Sequence, residues 1–186
     1  MKVWRPLHNL VVAALLPLFL AALPAFGQTP KLDDLLDRLK TAEPEEAARI
    51  EAEIWIEWSK SGSAAMDLLL ERGRQAMAAG DMDTAIEHFT ALIDHAPDFA
   101  EAWDSRATAY YQAGDIGPAL ADIAQTLRLN PRHFGALSGL AMIFQEGGQT
   151  EKALEVWKLV AAIHPNAPGV SEAITAIETD LQGREL

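Results

Sequence analysis

The stretch AEAWDSRATAYYQAGDIGPALADIAQTLRLNPRH, residues 100–133, is one full unit of a repeating pattern. Shifted by 34 residues in either direction, the same residue types return where two helices must touch. Ala107 is answered by Gly73 and Ala141, and Ala119 by Ala85 and Ala153. Gly114 is answered by Gly80 and Gly148, and Pro131 by Pro97 and Pro165. Four series at one period predict a stack of helical hairpins. In each unit the glycine can take the left-handed conformation that ends a first helix. Asp81 and Asp115 follow at once and can cap the next helix through a side-chain oxygen. The third unit carries Gln149 there, a poorer cap, with Thr150 beside it. The proline then stops the second helix. Stacked hairpins present a surface rather than a catalytic cleft, so the pattern points to binding.

The regular units read as 64–99, 100–133 and 134–167. Before them, residues 28–63 form an irregular helical hairpin. Leu32, Leu35, Leu36 and Leu39 share one helical face, and Ala47, Ile50, Ile54 and Trp58 share another. This pair does not keep the repeat spacing, so it reads as a degenerate repeat or an N-terminal cap. Trp58 lies on its core stripe and Trp55 to one side. Both are expected to pack on Leu69 and its neighbours, the alternative being that Trp55 belongs to a partner or self-association surface. After the units, residues 168–186 read as a capping helix and tail. Val170, Ile174, Ile177 and Leu181 face the last repeat there, and Gly183 is expected to end that helix.

Residues 1–27 have the plan of a secretory signal peptide: Lys2 and Arg5, an apolar run from Leu10, then Ala25-Phe26-Gly27 before a cut ahead of Gln28. Pro17 and Pro24 break the run, which argues against a membrane span. The expected location is periplasmic or secreted, with membrane attachment only if the signal stays uncleaved. Cysteine is absent, which excludes disulfides and a thiol nucleophile.

Charge narrows the partners. Fifteen Lys and Arg stand against 27 Asp and Glu, a formal net charge of −12. An acidic surface of this kind argues against nucleic acid, which is itself a polyanion. No His pair has metal-site spacing on one helix face, and no nucleophile elbow, phosphate loop or zinc pattern appears. The expectation is therefore no enzyme, no cofactor and no metal. His95, His133 and His164 fall at the turns between units, where a solvated ring or a bond to a helix-end carbonyl is expected.

These residues resemble the tetratricopeptide repeat family. Its large opening residue is met by Leu69, Trp103 and Leu137, and the small residue four places on by Gly73, Ala107 and Ala141. Tyr110 and Phe144 meet its tyrosine-like position, where the first unit has Ala76. Phe89 and Trp157 meet its second-helix aromatic, where the middle unit has Ile123. The resemblance implies an all-α, right-handed α-solenoid of three such hairpins, with the N-terminal hairpin before them and the capping helix after. It also implies a concave wall built by the first helix of each hairpin. From the first unit that wall takes Asp67, Leu70, Arg74 and Met77. From the second it takes Glu101, Asp104, Thr108, Tyr111 and Gln112, and from the third Ser138, Met142, Gln145 and Glu146.

Some relatives grip a chaperone's C-terminal carboxylate with Lys and Asn on this wall. Here Arg74 is the lone basic residue, so such a clamp is not expected. The implied function is a non-catalytic adaptor of the bacterial cell envelope. It would hold a peptide or helical segment of another envelope protein, steered by acids toward a basic partner. The alternatives are a self-associating structural protein and a regulatory subunit of an envelope enzyme complex. Oligomeric state is open.

Overall fold

The alanines and glycines of the period sit where helix meets helix. The computed structural model describes residues 29–184, so the expected export signal lies outside the described residues. Within them the chain is all helix: α1 (Pro30–Leu39), α2 (Pro44–Trp58), α3 (Ala64–Ala78), α4 (Met82–His95), α5 (Ala100–Ala113), α6 (Ile116–Leu129), α7 (Phe134–Glu146), α8 (Thr150–Ile163) and α9 (Val170–Arg184). The pairs α3–α4, α5–α6 and α7–α8 are the three repeats, and α9 covers the last of them. Gly80, Gly114 and Gly148 all take positive φ, between 69° and 87°. The Asp81 carboxylate accepts from the Thr84 N–H and caps α4, whereas neither Asp115 nor Gln149 makes a side-chain cap bond. Helix α9 runs past Gly183 to Arg184, one residue beyond the expected stop.

Ala85, Ala107, Ala119, Ala141 and Ala153 are buried. At Gly73 a methyl group would lie 2.3 Å from the Phe89 ring. Each repeat core is thus made of a small residue on one helix and a large one on its partner.

The N-terminal hairpin departs from expectation. It does not pack on Leu69, whose cluster holds Leu70, Phe89, Leu92 and Trp103 but no hairpin residue. Leu32, Leu35, Leu36, Leu39, Ile50, Ile54 and Trp58 instead join one continuous core with the third repeat, including Phe134, Leu137, Trp157 and Val160. The hairpin lies along the edge where successive repeats turn into each other. The Asn166 side-chain amide donates to the Ala42 carbonyl. Glu51 pairs with His164, Trp55 and Trp58 pack on His133 and Phe134, and Arg74 donates to the Ser59 hydroxyl. Read in that order, α2 runs back along the stack from its last turn to its first repeat. A strap of this kind suits an α2 stripe too long and apolar to leave in water.

Candidate protein-binding groove

Two carboxylates and a histidine converge where the strap meets the stack. Glu101 opens α5 and is only 3 % exposed. It takes a charge-assisted bond from Arg74 of α3, and its other oxygen lies 3.2 Å from His133 Nε2. His133 Nδ1 accepts from the Ala136 N–H and so caps α7. That arrangement makes Nε2 the protonated nitrogen, donating to Glu101. The Trp58 ring stacks on the imidazole at 4.2 Å. His133 and His164 are thus buried in the strap interface with carboxylate partners, rather than solvated or bonded to a helix-end carbonyl as their turn positions suggested. His133 lies against Trp55 and Trp58, and His164 against Phe134.

Asp104 lies one turn beyond Glu101 and has a different environment. Its side chain is 14 % exposed, and its nearest charged neighbour is His133 Nδ1 at 3.8 Å. Burial pushes its carboxyl up to about 6; Glu101 adds to the push, while His133 and Arg74 oppose it. Burial disfavours a proton on His133, but Asp104 and Glu101 outweigh it and raise the imidazole above its ordinary value. Glu101, Asp104 and His133 offer ligand atoms within 4.8 Å of one another. Arg74 already places a cation on the same carboxylate, so the cluster reads as an internal ion network.

Beside this network the inner face is hollow. Asp104, Thr108, Tyr111 and Gln112 of α5 face Met142 of α7 across a groove of about 230 Å³. Ile123 of α6 forms part of its floor, and Gly139 leaves its α7 side open. The Tyr111 hydroxyl donates to Glu146 at 2.6 Å, which sets a second carboxylate beside Tyr111. Ser138 is half-buried and donates to the Phe134 carbonyl. Gln145 accepts from the Trp157 indole and is tied to α8.

The first-repeat part of the expected wall is separate. Asp67 and Arg74 face α2 across a shallow cleft lined also by Trp55 and Ile56, and Asp67 accepts from the Ser61 N–H and hydroxyl. Trp55 stands between cleft and groove, because it also covers Gly135, where a methyl would lie 2.6 Å from its ring. Two expected wall residues are corrected outright. Leu70 is core, turned toward Ala85 and Phe89, and Glu101 is consumed by Arg74 and His133. Met77 is half-buried against the first-repeat core. Sequence reading also missed Arg106, whose guanidinium grips Asp122 at 2.7 and 2.9 Å and donates to Thr90. It joins three helices and makes no part of the groove.

Comparison with known proteins agrees with this architecture. The tetratricopeptide repeat family model matches residues 70–117 and 105–168. A TPR repeat-containing protein of Rhizobium etli is 34 % identical over 154 residues, covering 82 % of this chain and 76 % of that one. Human DnaJ homolog subfamily C member 3 is 28 % identical over 104 residues, but the match spans only 21 % of its length. Among solved structures, the first TPR of Spaghetti (RPAP3) bound to an HSP90 peptide superposes with a TM-score of 0.59. That match has 23 % identity and covers 63 % of this chain and 93 % of that one. MamA from AMB-1 gives 0.53 at 18 % identity, covering 83 % and 89 %. At such identities the structural likeness is one of fold.

Proposed function

The chain belongs to the tetratricopeptide repeat family, and from that membership we propose that it is a non-catalytic protein-interaction scaffold, exported to the bacterial envelope, that holds a segment of a partner in the groove between α5 and α7. The observation that carries this reading is the groove itself. Thr108, Tyr111, Gln112 and Met142 line a hollow that the chain's own N-terminal strap leaves open. Family neighbours such as the RPAP3 domain bind a chaperone peptide. In this chain Arg74 is spent on Glu101 and Ser59, while Asp104 lines the groove and Glu146 bonds its Tyr111. Its charge therefore favours a basic segment over an acidic one.

Site-directed photocrosslinking in the native envelope tests the reading. A benzoylphenylalanine at Met142, 41 % exposed in the groove, is expected to capture partners that the same probe at Leu159 on α8 does not. Equal capture from both positions would count against the groove. Cell fractionation with mass measurement of the mature chain tests export, since an intact Met1 would refute processing.

Self-association is a second reading that one observation favours. Ile56, in the shallow cleft between α2 and α3, is 57 % exposed, whereas Trp55 is packed inward on Phe134. Light scattering of the wild type and Ile56→Asp decides it; a monomer at all concentrations removes the idea.

A further inference from the structure

The hollow between α5 and α7 is deeper than the packing of the repeats requires. At Gly139 a methyl group would find only Ile123, at an ordinary contact distance of 3.7 Å. A glycine inside a helix costs about 1 kcal/mol against alanine, so no neighbour explains that residue. Its effect is to leave apolar space above Ile123, wide enough for one large side chain. Next to that space stands Asp104. Among the described residues no donor hydrogen-bonds to its carboxylate, and the nearest candidate, His133 Nδ1, is already an acceptor for Ala136. Its oxygens still reach solvent at the groove, and the partial burial is a cost to the ionised carboxylate. It is offset most directly by a cation arriving from outside. A second acidic point, the exposed Glu146, is bonded to the groove residue Tyr111. Tyr111 is seven residues beyond Asp104, a rise of about 10 Å along α5.

We propose that this hollow is a composite recognition pocket: one large apolar side chain of the partner segment fills the space above Ile123 and Gly139, and a Lys or Arg next to it in that segment is held by Asp104. The inference rests on the groove reading above and names the chemistry of its occupant. Two neighbouring features of a ligand are read at once, a cation and an apolar anchor, which is more selective than general acidic steering. Because the cation needs an ionised carboxylate, binding weakens on the acid side of the Asp104 titration. That titration is set by Glu101 on the same helix, Arg74 of α3 and His133 ahead of α7.

The test is selection of a random heptapeptide phage library on the full chain, followed by titration of the synthesised winner by fluorescence anisotropy. Winners are expected to carry Leu, Ile, Met or Phe adjacent or next-but-one to Lys or Arg. Asp104→Asn is expected to weaken the winning peptide about tenfold or more. Gly139→Leu, which fills the hollow, should abolish binding, and Gly139→Ala, with a smaller intrusion, should reduce it. Leu159→Ala on the outer face should leave it unchanged, and circular dichroism verifies the fold of each variant. Winners without a cation, or equal affinity for Asp104→Asn, overturn the composite pocket and leave the groove standing. Peptides indifferent to Met142→Arg as well, or no enrichment at all, overturn the groove reading with it.

Discussion

At Gly73 the Phe89 ring fills the space a side chain would need. Gly73→Ala is expected to cost about 1–3 kcal/mol by overpacking, even though alanine is the better helix former. A urea unfolding curve reads this directly, and an unchanged or higher midpoint would show that Phe89 yields. Asp122 is a second sensitive residue, buried and gripped through two oxygens by Arg106. Asp122→Ala leaves that guanidinium without its carboxylate, and a loss of about 3 kcal/mol is expected. The double variant with Arg106→Ala should recover part of it in a mutant cycle. The Asp104–His133 pair adds a pH dependence with a definite sign. Both groups hold their proton more tightly folded than unfolded. Their contribution is therefore full on the acid side and drains away as pH rises through the folded values. Asp37, Glu57 and Asp81 act oppositely, because their lowered carboxyls lose stability only under more acid conditions. The wild-type midpoint should thus fall relative to Asp104→Asn between about pH 4 and about pH 6; parallel profiles would contradict the assignment.

Among the elements, the helix starts and the strap behave differently from their sequence likeness. Asp81 and Asp115 occupy equivalent places, but only Asp81 makes a cap bond. Asp81→Ala should cost about 1 kcal/mol and Asp115→Ala distinctly less, a difference visible in thermal unfolding. The strap helix α2 depends on Gly135, the second residue of α7, because Trp55 lies where its side chain would be. Gly135→Ala improves helix propensity and should nevertheless destabilise, with tryptophan emission moving toward the red as Trp55 is displaced. An unchanged spectrum and midpoint would mean that the strap is seated loosely. Exchanging Ile54 for Asp would be a coarser route to the same end, since Ile54 is fully buried in the shared core.

On the scale of the whole molecule, the strap changes the physics of a repeat array. Repeats that touch only their neighbours unfold piecewise. Here residues far apart in the chain are tied together: Asp33 to Arg132, Ala42 to Asn166, Glu51 to His164. Leu36→Ala in α1 should cost about 2–5 kcal/mol and lower amide-exchange protection in α8, which shares its core. Protection lost in α1 and α2 alone would show that the strap folds independently. The groove was half legible beforehand. Asp104, Thr108, Tyr111, Gln112 and Met142 do meet, because position within a repeat sets which way a residue faces. Leu70 and Glu101 fell out, because facing inward does not say what else covers that face. By itself the sequence determined the helices, their glycine and proline boundaries and the small residues that let hairpins dock, since these follow from local conformation and a fixed period. The tertiary structure alone decided where the N-terminal hairpin lies, that it buries His133 and His164, and that among the described residues no donor bonds the Asp104 carboxylate. The reason is physical: an apolar stripe announces that it must be buried, while the surface that buries it is chosen by shape and charge across distant parts of the chain.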